Sequence, residues 1–182
     1  MLDQICNYQH DLAESIKVQR HPFIGEAIAS LAKKSGLTLT NFRDGTPAED
    51  KAGGDVIAHF VETQSPLYVD LKLTTNANNK RGVLEFQPGN GQLGTPWSID
   101  SQKGDIVLWV HTSERVAYFA LRKRLAEAIT NPTAETKAFL ASGQRIVKTT
   151  SAHHGVFESV CHLFNRDRFI NWLEQNKIGG AL

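Results

Sequence analysis

The sequence predicts an α/β (α+β) fold, a mixed β-sheet flanked by helices, and three observations carry that prediction. Ile24, Ala27, Ile28 and Leu31 follow the i, i+3, i+4, i+7 spacing of an amphipathic helix. The stretches DVIAHFV (55–61) and LYVDLKL (67–73) have strand character, and the second alternates strictly. Asp105–His111 (DIVLWVH) is a nearly continuous apolar run, as expected of a central strand buried on both faces.

Taken in order, two helices open the chain, Asp11–Val18 and Pro22–Lys34. Pro22 suits the first turn of the second, where its missing N–H has no intrahelical partner, and Gly36 stops it. Leu37–Phe42 alternates as a strand. A polar, turn-rich stretch, Arg43–Gly54, follows and ends in Gly53-Gly54. Two strands come next, Asp55–Val61 and Leu67–Leu73, with a short polar connection, and Val83–Phe86 is a further one. Gln87–Gly104 is rich in Gly, Pro, Ser and Asn and predicts a loop with a short helix around Ser98–Lys103. Val116–Leu121 partners the apolar strand through a tight turn at Thr112–Arg115. Arg122–Ile129 is a short basic amphipathic helix, ended by Asn131-Pro132. The last third holds a small helix (Ala134–Ala141), strands near Arg145–Thr149 and Val156–Phe164, and a C-terminal helix. Asn165 caps that helix, which buries Phe169, Ile170 and Leu173.

The chain has 182 residues, which fits one domain, and 41% of them are hydrophobic, enough for a real core. Lys plus Arg total 20 against 19 Asp plus Glu. A net charge of +1 neither suggests nor excludes a nucleic-acid partner, since acids at a metal site and bases around it cancel in the sum. Cys6 and Cys161 lie far apart with no CxxC partner, which excludes a disulfide framework and a cysteine zinc site. No apolar run approaches the roughly 18 residues of a membrane helix, and no membrane is expected as a partner. The first residues, MLDQICNYQHDLAES, lack the basic start and apolar stretch of a signal peptide, so the expected location is cytoplasmic.

The chemistry concentrates in GGDVIAHFVETQSPLYVDLKL. Along 67–73 the period of two sets Leu67, Val69, Leu71 and Leu73 on one face and Tyr68, Asp70 and Lys72 on the other. That second face is expected in solvent or on a site. If Glu62–Ser65 form a four-residue hairpin loop, Val61 lies opposite Pro66 and Asp55 opposite Lys72. Asp55 and Asp70 are then diagonal neighbours, with Cα atoms roughly 7–8 Å apart. Two carboxylates at that separation can share one cation. A slip of one residue would turn Asp55 to the other face.

Two carboxylates and a lysine suit phosphodiester hydrolysis. Mg²⁺ takes oxygen ligands and keeps several waters. It activates water and offsets charge on the transition state, while a lysine ammonium orients the water or stabilises that charge. Mn²⁺ is expected to substitute.

Asp55, followed by Asp70-Leu71-Lys72 on the next strand, resembles the signature of the PD-(D/E)xK nucleases. In these restriction-endonuclease-like folds a helix precedes a strand hairpin that carries the metal site, and further strands and a helix follow. The resemblance covers about Pro22 to Ile129. Gly54 stands where the literal motif has proline. The resemblance implies one nuclease-like domain over 1–182, with a core of about 22–130 and a C-terminal extension of about 131–182. It implies a Mg²⁺-dependent DNA endonuclease with Asp55 and Asp70 as metal ligands and Lys72 as catalytic lysine. Glu26 is the candidate for the acid that many members carry on the preceding helix. Double-strand cutters of this class usually act as dimers, so the resemblance points to a homodimer on DNA. Two other functions remain open: a non-catalytic DNA-binding or assembly module that keeps the fold, and an unrelated α+β binding protein.

The remaining candidates are weaker. Glu49-Asp50-Lys51 and Glu135-Thr136-Lys137 repeat the three-residue pattern outside any strand context. Arg115, Arg122, Lys123 and Arg124 form either a solvated face or contacts with DNA phosphates; Arg122 and Lys123 are taken as DNA contacts. Lys80 and Arg81, in the loop Thr74–Arg81 beside the site, are taken likewise. Glu85 is an additional ligand candidate or an edge-strand residue, and Gln102 a polar neighbour of the site. His153-His154, His59, His111 and His162 show no HxH or HExxH spacing. Gly89, Gly91 and Gly94 form no phosphate loop, and no GxSxG elbow is present.

Overall fold

The computed structural model describes residues 6–7, 21–50, 54–74, 80–88, 93–96, 104–152 and 155–182. The helices expected at Asp11–Val18 and Ser98–Lys103, and with them Gln102 and His153-His154, lie outside the described residues.

The elements in chain order are β1 (Cys6–Asn7), α1 (Pro22–Lys34), β2 (Leu39–Asp44), α2 (Pro47–Asp50), β3 (Val56–Phe60), β4 (Leu67–Thr74), β5 (Arg81–Pro88) and β6 (Leu93–Pro96). They continue with β7 (Ile106–His111), β8 (Val116–Leu121), α3 (Arg122–Thr130), α4 (Ala134–Ala141), β9 (Gln144–Ala152), β10 (Gly155–Asn165), α5 (Arg166–Gln175) and β11 (Gly179–Ala181). The local signals act as expected. Pro22 opens α1, and Gly36 follows its end with φ 69°, a left-handed conformation that favours glycine. Thr133 and Asn165 cap α4 and α5 by accepting from Thr136 N and Arg168 N. Strands β6 and β11 were not legible, being short and rich in glycine or proline.

Six strands form a mixed sheet in the order β11-β8-β7-β4-β3-β2. Its neighbours are antiparallel except β4 and β7, which run parallel. A second sheet has the order β1-β9-β10-β5-β6. Strand β7 is buried on both faces, as its apolar run predicts. Ile106, Leu108 and Val110 face α1 and pack with Ile24, Ile28 and Leu31. Val107 and Trp109 face a second core with Leu125, Phe139, Phe164, Phe169 and Trp172. Trp109 Nε1 donates to the Val83 carbonyl at 2.9 Å and so ties β7 to β5. Residues 131–182 therefore supply much of that second core, and β11 extends the main sheet beside β8.

The β3–β4 register differs from the expected hairpin. Val56 pairs with Val69, Ile57 with Tyr68 and Ala58 with Leu67. One step further along that register sets Asp55 opposite Asp70, not Lys72. The expected four-residue loop is not formed: the β3–β4 pairing stops at Ala58 and Leu67, and the chain just beyond β3 bonds to the segment before β2 instead. Leu39 pairs with Phe60, Val61 N donates to the Thr38 carbonyl at 3.0 Å, and Glu62 Oε2 accepts from Thr38 N at 2.8 Å. The slip is by an even number of residues, so Asp55 stays on the face of Asp70.

Candidate functional site

Strand alternation sends Val69 and Leu71 into the core beneath α1, and so sends Asp70 and Lys72 to the other face of β4. That face was expected to meet solvent or a site. The sheet order decides the matter: Asp70 lies beside Val107 of β7, and Val107 beside Ala120 of β8. Arg122, two positions after Ala120, continues the same face. Its side chain reaches back so that Nη2 lies 2.9 Å from Asp70 Oδ2. Lys72 Nζ lies 2.9 Å from Asp70 Oδ1. Asp70 is only 6% exposed and Arg122 only 5%, so the pair is sealed. Lys72 keeps about a third of its side chain in solvent, at 34%.

Asp55 joins through β4. Its Oδ2 accepts from Leu71 N at 2.6 Å. The turn before it is braced on both sides. Its own carbonyl accepts from Gly45 N at 2.8 Å, and Arg43 makes a two-pronged contact with Glu49 at 2.8 Å each. That hydrogen-bonded guanidinium holds the Glu49 carboxyl well below the usual carboxylate range, with Thr46 adding to the effect. Gly54 has a local reason to be glycine. A Cβ there would lie 2.6 Å from Tyr68 Cδ1 and 2.9 Å from Ile57 Cδ1. Gly54 N also donates to the Glu49 carbonyl at 2.9 Å, a bond proline cannot make.

Asp105 completes the group. Its Oδ2 accepts from Tyr68 N at 2.8 Å, and its carbonyl accepts from Arg122 N at 3.0 Å. Burial lowers the pKa of the Arg122 guanidinium, and Asp70, Asp105 and Asp55 act against that shift. Gly104 leaves room for it: a Cβ at 104 would lie 2.4 Å from Arg122 Cζ.

The structure groups Asp55, Asp70 and Lys72 around β4, in a different register from the expected one, and adds Arg122 and Asp105. Arg122 was expected on a DNA-facing helix surface; it is buried instead, because α3 begins at the rim of the Asp70 face. Glu26 is not brought to the site. Helix α1 packs on the opposite face of the sheet, and Glu26 is exposed there in an ion pair with Arg115. Lys80, Arg81 and Lys123 are exposed. Lys80 Nζ lies 3.8 Å from Glu114 Oε1. Arg124 donates to the Lys177 carbonyl at 2.7 Å and lines a separate cleft of about 450 Å³ with Glu127, Asn131 and Thr133. Glu85 lies on β5 opposite Cys161. His111 is buried beside Tyr118, 3.3 Å from its hydroxyl, and His162 is buried on β10.

One sequence signal for Arg122 was available. Arg122, Lys123 and Arg124 open α3 with no acid in its first turn, although cations are disfavoured at a helix N-terminus. A buried carboxylate offsets that cost for Arg122. Nothing local marks Asp70 as that carboxylate.

The donor set can be compared with what Mg²⁺ takes. Asp55, held to β4 through Leu71 N, and Asp70 offer hard oxygen donors, and Asp105 lies in the same charge cluster. Among the described residues no group of three or more His, Cys, Asp or Glu side chains assembles as a metal cage. The two carboxylates suit an ion that keeps several waters, and do not suit a structural zinc. No helix among the described residues is long and apolar enough to cross a membrane. Comparison with protein-family models, curated proteins and solved structures finds no match to this chain.

Proposed function

We propose that the protein is a Mg²⁺-dependent DNA endonuclease of the PD-(D/E)xK type. The observation that carries this reading is the grouping of acids and a lysine around β4, with Lys72 2.9 Å from the Asp70 carboxylate and Asp55 Oδ2 accepting from the N–H of Leu71, the residue between them, at 2.6 Å. The order of a helix, then a strand hairpin with its acids on one face, then further strands and a helix agrees with the restriction-endonuclease-like pattern. Asp55 and Asp70 would hold the ion, and Mn²⁺ would substitute. The ion supplies an activated water and offsets charge on the transition state. Lys72 is the cation on Asp70 with a partly exposed side chain, which supports a role in meeting the scissile phosphate or its attacking water. Lys80, Arg81 and Lys123 would meet DNA phosphates elsewhere.

A second reading has its own observation. Asp70 already accepts both Lys72 and Arg122, which is also what a purely structural ion cluster in a DNA-binding or assembly module would show. Nicking of supercoiled plasmid, with Mg²⁺ or with EDTA, separates the two. Cleavage that needs the cation and is lost in Asp55→Asn supports the nuclease. DNA binding with no cleavage in Mg²⁺ or Mn²⁺ supports the module.

A further inference from the structure

We propose that the two cations on Asp70 have different parts: Arg122 is a fixed positioning residue, and Lys72 is the exchangeable cation whose departure from Oδ1 opens Asp70 to a divalent ion. The inference rests on the metal-dependent reading above and names how that same site is controlled.

Arg122 is boxed in. Its side chain is 6% exposed, its N–H is held by the Asp105 carbonyl, and the backbone at Gly104 leaves no space beyond the guanidinium. Asp105 is itself tied to Tyr68 at the start of β4. Withdrawing the guanidinium would leave the buried Asp70 carboxylate short of its charge partner and would need the β7–β8 end of the sheet to rearrange. Lys72 is different. Its flexible four-carbon stem projects from a strand whose outer part reaches solvent, so its ammonium can leave Oδ1 and be hydrated.

Charge balance points the same way. Among the described residues, Asp55, Asp70 and Asp105 act on Arg122, and Lys72 pairs with Asp70. Swinging Lys72 out removes one positive charge beside the Asp70 carboxylate, which a divalent ion can replace. Without the ion, Lys72 serves as its stand-in, and Oδ2 stays pinned by Arg122 throughout. Asp70 is thereby held in one orientation whether or not the ion is bound.

The test is Mn²⁺ titration by calorimetry on the full chain without DNA, with folding followed by circular dichroism. Lys72→Gln should bind Mn²⁺ at least about tenfold more tightly than wild type, the scale on which one nearby like charge acts even in water. Lys72→Met serves as a second form of the same change. Lys137→Gln, an exposed control on α4, should stay within about twofold, because salt screens distant charges. Asp55→Asn should lose binding. If Asp55→Asn loses binding but the Lys72 variants bind no tighter than wild type, the metal site stands and the exchange does not. If wild type binds no Mn²⁺, or Asp55→Asn binds as well as wild type, the metal reading falls and this inference falls with it.

Discussion

Arg122 and Asp70, 52 residues apart in the chain, form an ion pair with Nη2 and Oδ2 2.9 Å apart and both side chains all but sealed from water. A pair of this kind contributes little net stability compared with a well-packed apolar pair, yet losing one partner is costly, because the other charge stays buried. This decides which variants can report on chemistry.

Asp70→Asn keeps the side-chain volume but strips the charge that balances Arg122. It should destabilise the protein by about 3 kcal/mol, read from urea unfolding. The double variant Asp70→Leu/Arg122→Met should recover most of that loss. If Asp70→Asn unfolds at the wild-type midpoint, the pair is not buried as described.

Asp55→Asn is the cleaner probe of activity. Its amide oxygen can still accept from Leu71 N, so stability should fall by less than about 1 kcal/mol. Cleavage in Mg²⁺ should drop by at least about 3 kcal/mol of barrier, the scale of a lost electrostatic stabiliser. Wild-type nicking by this folded variant would move the site elsewhere.

Lys72→Ala and the exposed cations should separate catalysis from binding. Lys72→Ala should lower the cleavage rate by orders of magnitude, while DNA affinity in Ca²⁺ changes by less than about tenfold. Substituting Lys80, Arg81 or Lys123 should weaken DNA binding and flatten its salt dependence with little effect on the bound rate. Equal losses of affinity and rate in Lys72→Ala would make it an ordinary phosphate contact.

Gly54→Pro restores the literal motif and should harm the fold. It removes the N–H bonded to the Glu49 carbonyl and drives a Cβ against Tyr68 and Ile57. The expected cost is at least about 2 kcal/mol, from one lost hydrogen bond and one overpacked contact. Gly54→Ala, which keeps the N–H, should cost less. A thermal midpoint unchanged by both would mean the turn relaxes freely.

His162 supplies a pH test. Burial holds its imidazole below the ordinary histidine value of 6.5, while the Leu140 backbone carbonyl, as acceptor, acts to raise it. The unfolded chain therefore takes up the proton first as pH falls. The His162 contribution is fully present above about pH 6.5 and is lost progressively below it. Urea midpoints should fall from pH 7 to pH 5, and His162→Gln should flatten part of that slope. An identical slope in the variant would show that His162 is not the residue that titrates.

The elements themselves were legible because their signals are local. The i, i+3, i+4 spacing defined α1, the apolar run of 105–111 defined β7, and Thr133 and Asn165 marked the starts of α4 and α5. The sharing of a face by Asp70 and Lys72 was also local, since strand alternation sets it. What the sequence could not settle depends on which strands are neighbours. The hairpin register depends on where the β3–β4 pairing stops, at Ala58 and Leu67, and the chain beyond it bonds to Thr38, a contact outside the hairpin itself. Glu26 fell on the wrong side because no local pattern says which face of the sheet a helix covers. The burial of Asp70, and Arg122 as its partner, follow only once β4, β7 and β8 lie side by side. Periodicity along one strand fixes which residues point together, but the contact between Asp70 and Arg122 is made across strands, and strand order is set by the packing of the whole chain.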